Sequence, residues 1–344
     1  MTAGEVVVVG GGIIGLAVAW RCVQRGLAVT VHDDGGDDGA WYAAAGMLAP
    51  AGEAGFGQDT LTELMVESAG RWPAFAAELA RETGIDVGYD STGTLTVALT
   101  ADDLAEAQRL WAYRRSLGLG VSPLGPSALR DLEPALSPRL RGGAHAPDDR
   151  QVDPRRVVAA LRAILGDAVV RRRVDEVPAG VPVVVAAGSG TARLTGLPVR
   201  PVKGLVLRLR GEPGVLRHVV SGWADGRHVY LVPRADGEVI VGATQEERTD
   251  HTVTAGHVLD LLRAATDLVP VLGEFDLVET VVRHRPATPD NAPLLGAAGD
   301  VIVAAGHHRN GVLLAPVTAD LIADLVAWGK PDPLLDAFSP GRFV

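Results

Sequence analysis

The feature that most constrains the fold is a short apolar run followed by closely spaced glycines near the N-terminus. Residues 6–9 are four valines, and Gly10, Gly12 and Gly15 follow them in the spacing GxGxxG. Residues 13–20 then have the apolar pattern of a helix. A strand, a glycine turn and a helix in this order let the backbone approach a pyrophosphate, with the N–H groups of the helix N-terminus facing the anion. The order therefore predicts a Rossmann-type dinucleotide unit.

The residues after this helix extend the same unit. Gly26 is placed to end the helix, and residues 27–31, LAVTV, predict a second strand. Asp33 follows Gly10 by 23 positions, where an acid receives a ribose hydroxyl. His32 beside it is expected to be a packing or surface residue. Because a unit of this kind accepts either a nicotinamide or a flavin dinucleotide, the motif leaves the cofactor open.

Composition and charge narrow the class of protein. The chain has 344 residues, enough for one large or two joined domains, and a net charge of −10. No stretch concentrates Lys and Arg, so no nucleic-acid partner is expected. The apolar N-terminus lacks a basic region and is interrupted by glycines, which argues against a membrane span and favours a cytoplasmic protein. Cys22 is the single cysteine, so neither an internal disulfide nor a CxxC metal site is expected.

A polar loop lies between two apolar segments near the C-terminus. It reads GHHRNG, residues 306–311, and follows a predicted strand at 301–305. Taken alone, the loop is compatible with a metal site, a catalytic base, an anion clamp or no function. The adjacent His307 and His308 lack the i, i+4 spacing of a two-histidine ligand pair and have no carboxylate beside them, so no metal site is predicted. The segment 311–325 predicts a helix that begins at the end of this loop.

Five motifs occur in order along the chain. They are GGGIIG at 10–15, AAAGMLAP at 43–50, PVKG at 201–204, RPATPDNAPLLG at 285–296 and GHHRNGVLLAP at 306–316. With this set the chain resembles the D-amino-acid-oxidase-like FAD-dependent oxidoreductases, and it is most similar to their glycine oxidase branch, which is linked to thiamine thiazole biosynthesis. The resemblance covers essentially the whole chain.

The resemblance implies an activity and a cofactor. FAD would be bound noncovalently, and glycine or other small amino acids and amines, such as sarcosine or D-alanine, would be oxidatively deaminated by molecular oxygen. The products would be an oxo acid, glyoxylate from glycine, with ammonia or an amine and hydrogen peroxide. The resemblance also implies a homo-oligomer, a homotetramer. Two alternatives stay open: a flavin dehydrogenase with another electron acceptor, and a noncatalytic FAD-binding protein.

The resemblance also assigns residues to the cofactor. The glycine turn would hold the pyrophosphate, the acids after the second strand the ribose, AAAGM and the C-terminal loop the flavin, and the backbone of Val174 the adenine end. The positive end of the C-terminal helix would face the flavin. Gly39, Ala40 and Trp41 stand where the family has hydroxyl side chains, so weaker retention of FAD is expected. The assigned residues are Gly10, Gly12, Ile13, Ile14, Gly15, Asp33, Asp34, Ala45, Gly46, Met47, Val174, His307, His308, Arg309, Asn310, Gly311, Val312 and Leu313.

Four residues are candidates for the substrate side. By the resemblance, Arg285 would clamp the substrate carboxylate, and an arginine fork suits this role because it can bind both oxygens. The hydroxyl of Tyr230 would reach the same carboxylate. Arg309 is either a second basic group near the carboxylate or part of a structural ion pair. His228 is as compatible with a structural role as with a catalytic one.

The pattern of elements predicts an α/β part joined to an α+β part. Strands alternate with helices at 5–33, 153–187 and 300–328, which favours a Rossmann-type FAD-binding domain that is discontinuous in sequence. Segments with a period of two between them favour an interlocked substrate domain with an antiparallel sheet. Helical patterns at 60–83, 101–117 and 254–268 are expected to cover that sheet. The predicted domains are 1–85, 140–200 and 286–344 for FAD, and 86–139 and 201–285 for the substrate.

Overall fold

The chain folds into two large sheets and a set of helices, which the computed structural model describes for residues 4–36 and 38–343. The strands are β1 (Glu5–Val9), β2 (Ala28–Asp33), β3 (Met47–Leu48), β4 (Thr94–Ala98), β5 (Ser122–Leu124), β6 (Gly142–Ala146), β7 (Arg150–Gln151), β8 (Val169–Arg171), β9 (Val183–Val185), β10 (Arg200–Arg210), β11 (Val219–Ala224), β12 (Arg227–Pro233), β13 (Glu238–Gly242), β14 (Asp276–Ala287), β15 (Leu294–Ala298) and β16 (Val301–Ala305).

The helices vary from one turn to seven. They are α1 (Ile13–Gln24), α2 (Pro50–Glu53), α3 (Asp59–Thr83), α4 (Ala101–Ser116), α5 (Pro126–Leu132), α6 (Pro154–Leu165), α7 (Thr191–Thr195), α8 (Ala255–Leu268) and α9 (Ala315–Trp328). Within the two described ranges, no helix combines the length and the apolar character needed to cross a membrane.

The six-stranded sheet contains the glycine motif. Its order is β15-β16-β9-β1-β2-β8, with β1 parallel to both β2 and β9, and with β15 antiparallel at the edge. The valines of β1 and β9 are buried, as is typical of central parallel strands that are covered on both faces. Helix α1 packs against α6 and α9. The predicted Rossmann-type α/β part is confirmed.

The eight-stranded sheet forms the second layer. Its order is β14-β10-β13-β12-β11-β4-β6-β5, and its neighbouring strands are antiparallel except for the parallel pair β4 and β11. Strands β10 and β14 form the longest pairing, in which Val202 lies opposite Arg285. Helix α8 packs against β10 to β13 and covers one face. The predicted α+β part, with a largely antiparallel sheet, is confirmed.

One helix lies in a different layer from the predicted one. The pattern at 60–83 predicts a cover for the antiparallel sheet, and this prediction is wrong because α3 packs against α6 and α9. Its buried residues Trp72 and Phe75 belong to the same hydrophobic core as Trp20 and Leu313. An amphipathic period identifies the buried face of a helix but does not identify the partner of that face.

The division into two domains stays a prediction. The predicted boundary at residue 140 places β6 with the cofactor-binding domain, whereas β6 pairs with β4 and β5 in the eight-stranded sheet. The next strands, β8 and β9, do lie in the six-stranded sheet. The sequence of a short strand does not indicate which sheet it joins.

Candidate functional site

A cavity of about 830 Å³ is lined by residues of both large sheets. The six-stranded sheet contributes the β1–α1 turn, the end of β2 and the loop after β16, and the other sheet contributes β10, β12 and β14. The predicted site residues that line it are Gly10, Gly12, Ile13, Ile14, Asp33, Asp34, Ala45, Gly46, Met47, Val174, His228, Tyr230, Arg285, His307, His308, Arg309, Asn310, Gly311 and Val312. Segments far apart in sequence therefore meet here, while the role of each residue stays a prediction.

The turn between β1 and α1 presents backbone to the cavity. Gly10 has a φ of +117°, and a Cβ on Gly15 would overlap the carbonyl oxygen of Gly10. No side chain caps α1, and the amides of Ile13 and Ile14 donate no hydrogen bond within the described residues. Uncapped N–H groups at the positive end of a helix fit a pyrophosphate. Gly15 is not itself a lining residue, and its role is the close packing of helix on strand.

The carboxylate of Asp33 lies at the end of β2, against the backbone of Gly11. A Cβ on Gly11 would come within 2.5 Å of Oδ2 of Asp33, so only glycine allows this approach. Nη2 of Arg162 donates to the same oxygen at 3.3 Å. Asp34 and Val174 line the cavity nearby. A carboxylate at this place fits the hydroxyls of a ribose because it can accept two hydrogen bonds.

His32 lines the cavity as well. It is buried, as is expected of a packing residue, and its Nδ1 has no hydrogen-bond partner among the described residues. Desolvation by burial and the charge of Arg172 lower the pKa of His32. The signal in the sequence was its place directly before Asp33, at the carboxyl end of a parallel strand, where ligands bind in open α/β sheets.

The segment that lacks the hydroxyl side chains forms a short 3-10 turn, Ala40–Tyr42. Gly39, Ala40 and Trp41 all line the cavity, and none of them offers a hydroxyl group. The guanidinium of Arg162 lies over the Trp41 ring, 5.4 Å from its centroid. Weaker retention of FAD stays a prediction.

Small residues keep the middle of the cavity flat. Ala43, Ala45 and Gly46 line it, and Gly46 has a φ of +84°, with no room for a Cβ because of the carbonyl oxygen of Val152. Ala43 and Ala45 pack in one hydrophobic cluster with Tyr230. The small side chains of this segment leave room for a planar ring against its backbone.

The C-terminal loop offers unpaired polar atoms to the cavity. The amides of Gly311 and Val312 donate no hydrogen bond within the described residues. Oδ1 of Asn310 and Nε2 of His308 are buried and also lack a protein partner there. Because buried polar atoms are rarely left unpaired, these atoms indicate a polar ligand. Together with the glycine turn and the flat middle, they fit the flavin of FAD.

One assignment in this loop stays a prediction, and one helix boundary differs from the expected one. Leu313 is not among the residues that line the cavity, and its carbonyl oxygen accepts hydrogen bonds from Oγ of Ser68 at 2.6 Å and from Nε1 of Trp72 at 2.9 Å. The helix that follows begins at Ala315 and not at 311. Its buried first turn packs into the core, so the loop amides, rather than the helix itself, face the cavity.

His307 contributes little chemistry through its side chain. Its Nε2 lies 3.0 Å from Oγ1 of Thr318, and burial lowers the pKa of His307 to about 3. The imidazole is therefore neutral at physiological pH. The amide of the neighbouring His308 donates to the carbonyl oxygen of Pro286 at 2.8 Å, which fixes the loop against β14.

Arg285 and Tyr230 lie together at the substrate end. Nη1 of Arg285 donates to the carbonyl oxygen of Thr244 at 3.1 Å, and the guanidinium also donates to the hydroxyl oxygen of Tyr230. Burial raises the pKa of Tyr230, so its hydroxyl keeps the proton. Desolvation and the charge of Arg309 lower the pKa of His228 to about 4, which leaves this imidazole neutral. Arg285 is a charged group that lines the cavity beside Tyr230.

Arg309 forms an ion pair with Glu53. From the sequence, Arg309 is either part of an ion pair or a basic group near the substrate carboxylate. Its Nε donates to Oε2 of Glu53, the last residue of α2. Glu53 lines the cavity, and its side chain is only 10 % exposed. Sequence reasoning missed Glu53, whose only signal is its place three residues after the AAAGMLAP motif.

Helix α2 is held at both ends by two buried side chains, Asp149 from the segment between β6 and β7 and Arg114 from α4. The carboxylate of Asp149 accepts hydrogen bonds from the amides of Ala51 and Gly52 at 3.0 and 3.1 Å. Nε and Nη2 of Arg114 donate to the carbonyl oxygens of Ala54 and Gly52. Glu53 is therefore presented by a clamped turn and not by a mobile loop.

A second segment that the sequence did not indicate forms part of the wall. The segment 245–251 contributes Gln245, Thr249 and His251 to the lining. Lys203 of β10 contacts this segment. Lys203 is 1 % exposed, and its Nζ donates to Oδ1 of Asp250 at 2.9 Å. A fully buried lysine is rare unless paired, so this contact holds the segment in place.

The fold and the cavity define a dinucleotide-binding protein of the Rossmann type, with a second large sheet beside the cofactor site. Residues 5–325 match the family described as DAO, FAD dependent oxidoreductase, and the chain belongs to this family. Its cofactor is FAD. The predicted resemblance to the glycine oxidase branch is confirmed.

Within this family, the chain is similar to proteins named ThiO/ThiG and glycine oxidase. The chain is 36% identical to the bifunctional protein ThiO/ThiG of Synechocystis, over 100% of this chain and 54% of the relative, so it spans about half the length of that protein. It is 33% identical to the glycine oxidase of Geobacillus kaustophilus, over 94% of this chain and 92% of the relative. The crystal structure of glycine oxidase from G. kaustophilus superposes with a TM-score of 0.91 at 31% identity, over 99% of this chain and 100% of that chain.

Proposed function

We propose that the chain oxidises glycine or another small amino acid or amine at FAD, with molecular oxygen as the electron acceptor. With glycine, water and oxygen as reactants, the products are glyoxylate, ammonia and hydrogen peroxide. The observation that carries this proposal is the charged Arg285 beside the protonated Tyr230, packed against the small residues Ala43 and Ala45. This arrangement can hold a carboxylate next to a flat ring.

The side chains at this end bind and orient the substrate. The Arg285 fork binds both oxygens of a carboxylate, and the Tyr230 hydroxyl donates to one of them. Both groups are held before a substrate arrives, because Thr244 fixes the guanidinium and the guanidinium contacts the hydroxyl. Anchoring of the carboxylate orients the neighbouring carbon, which is the atom to be oxidised. FAD, when bound, supplies a two-electron acceptor for the hydrogen of this carbon.

His228 adds no positive charge to the cavity wall at neutral pH. With a pKa of about 4, the imidazole is neutral and can accept a hydrogen bond from an amine. Its Nε2 lies 3.2 Å from Oγ of Ser221, and its ring packs edge-on against Trp223, 4.9 Å between centroids. These contacts orient the ring, so a positioning role fits His228 better than that of a strong base.

The similarity to ThiO/ThiG and to glycine oxidases supports thiamine thiazole biosynthesis as the setting of this reaction. A homo-oligomeric state, a homotetramer, and a cytoplasmic location belong to the same proposal. The alternative of a dehydrogenase differs only in the acceptor, and the experiment below separates it from an oxidase.

The test starts from the absorbance spectrum of the purified protein with added FAD. Flavin bands are expected, and their absence would contradict any flavoenzyme function. Hydrogen peroxide release is then measured with glycine, sarcosine and D-alanine. Peroxide formation with at least one of them supports the proposal, whereas flavin reduction without peroxide indicates a dehydrogenase.

The variant Arg285→Ala tests the site itself. Loss of the carboxylate anchor is expected to weaken substrate capture by a few kcal/mol, about 2 to 5 for a truncated partner of a buried charge pair. The flavin spectrum is expected to stay nearly unchanged. An unchanged apparent substrate affinity would remove Arg285 from the substrate site.

A further inference from the structure

Two arginines line the substrate end of the cavity, and they differ in their partners. Arg285 donates to the neutral carbonyl oxygen of Thr244 and contacts the hydroxyl of Tyr230. Arg309 is paired with the carboxylate of Glu53, which is the largest influence on the pKa of Arg309 and raises it. The two arginines are near enough to interact, since the charge of Arg309 lowers the pKa of Arg285.

Arg285, Arg309 and Glu53 together carry one positive charge. Tyr230 keeps its proton, and His228 is neutral. Arg114 also acts on Glu53, but it lies behind α2, donates to backbone carbonyl oxygens and does not line the cavity. A substrate with one carboxylate therefore balances the charge of Arg285, Arg309 and Glu53, and Arg285 is the group with which it pairs.

A second carboxylate on the substrate would be repelled by Glu53. Near Arg309 it would compete with Glu53 for the same guanidinium and would face the Glu53 carboxylate, and like charges at this distance repel. Glu53 cannot move away easily, because Asp149 and Arg114 hold the turn on which it lies. The position of Glu53, and with it the repulsion of a second carboxylate, is therefore fixed by the fold.

We propose that Glu53 is a specificity-determining residue, which occupies Arg309 and so restricts the cavity to substrates with one carboxylate, excluding amino dicarboxylates. The inference rests on the proposed function, in which Arg285 binds the substrate carboxylate. It goes further by assigning the discrimination between monocarboxylates and dicarboxylates to one side chain of α2.

The test compares the binding of acetate and malonate to the FAD-loaded full-length protein by isothermal titration calorimetry. At about pH 8 both carboxylates of malonate are ionised. In Glu53→Gln, Arg309 is released, and the affinity for malonate relative to acetate is expected to rise at least about tenfold, since the repulsion between the Glu53 carboxylate and the second carboxylate of malonate is removed. Glu78→Gln is the matched control, because Glu78 pairs with Arg21 outside the cavity lining, and its ratio should equal that of the wild type.

A second variant keeps the proposal testable if Glu53→Gln folds poorly. Arg309→Met retains Glu53 and removes the cation, so the affinity for malonate relative to acetate should fall below that of the wild type. In the double variant Glu53→Gln, Arg309→Met, the gain of the single variant should disappear. FAD content and thermal unfolding report whether each variant is folded.

The outcomes separate this inference from the function on which it rests. An unchanged ratio of malonate to acetate affinity in Glu53→Gln, or a gain that persists without Arg309, would overturn the inference alone. Unchanged acetate affinity in Arg285→Ala would instead contradict the proposed carboxylate anchor. Neither result depends on turnover, so both can be read even if no amine is oxidised.

Discussion

The backbone of Gly204 lies directly against the guanidinium group of Arg285: a Cβ at position 204 would come within 2.8 Å of Cζ of that arginine. The backbone of Gly204 has ordinary φ, so alanine is tolerated there, and the flexible arginine end would move instead. Gly204→Ala is therefore expected to displace the guanidinium that we propose as the carboxylate anchor, with little loss of stability. A misplacement of about 1 Å can cost about a hundredfold in rate, and kcat/KM should fall on that scale.

The control for this variant is Gly256→Ala. Gly256 lies in α8, and a Cβ there meets no atom within 4 Å. Steady-state kinetics with the best amine substrate and thermal unfolding of both variants provide the comparison. Equal kcat/KM for the Gly204 and Gly256 variants would show that Arg285 does not depend on the space above Gly204.

The sequence predicted those parts of the site whose chemistry is local. The glycine turn at 10–15 and the loop at 306–312 lie at the cavity because consecutive residues determine a strand, a turn and a helix. Arg285 also lines the cavity, and the role that its motif implies stays a prediction. The hydrophobic pattern of α3 did not indicate that this helix packs against α6 and α9. The period of the buried face is the same whichever partner covers it.

Residues that act through distant partners could not be predicted. Glu53 and Arg309 are 256 positions apart, and nothing in the spacing of either segment indicates the other. Lys203 reads as an ordinary charged residue of a strand, although it is 1 % exposed and holds the segment that contains Asp250 and His251. Such pairs arise from the pairing of strands and the placement of loops, which only the complete fold determines.

Gly15→Ala tests the approach of α1 to β1. A Cβ on Gly15 would overlap the carbonyl oxygen of Gly10, so the helix must shift away from the strand. Overpacking of this kind costs about 1 to 3 kcal/mol. The free energy of unfolding in urea should fall by that amount, and the FAD content of the purified protein should fall as well because the helix N-terminus moves.

Gly70→Ala is the matched control, since Gly70 also lies in a helix but a Cβ there meets no atom within 4 Å. It should be neutral or stabilising by up to about 1 kcal/mol, as alanine is the better helix former. The packing account would be contradicted if the Gly15 variant were as stable as the Gly70 variant and retained the same amount of FAD.

Asp149 should make stability depend on pH. Burial raises the pKa of Asp149 from 3.8 to about 7, so the folded protein keeps a proton that the unfolded chain has lost. Stability therefore falls as the pH rises from about 4 to about 7, by at most about 4 kcal/mol for a pKa difference of about 3, and the slope ends above the folded pKa. Urea unfolding over this range should show the slope in the wild type and a smaller one in Asp149→Asn, which does not titrate. Identical slopes in both proteins would contradict the raised pKa.

FAD should leave the protein on denaturation. Cys22 is buried in the core of α1, does not line the cavity, and has a pKa that burial raises to about 12, so it is not a reactive thiol for attachment. After acid precipitation the flavin is expected in the supernatant, measured by its absorbance. A pellet that stays yellow after washing would indicate a covalent link.

Anaerobic mixing of the FAD-loaded protein with glycine, sarcosine or D-alanine tests the central claim most directly. The flavin absorbance is expected to bleach with at least one of these amines, to recover with hydrogen peroxide release when oxygen is admitted, and to bleach far more slowly in Arg285→Ala. A protein that binds FAD tightly, but whose flavin none of the three amines reduces, would contradict the account.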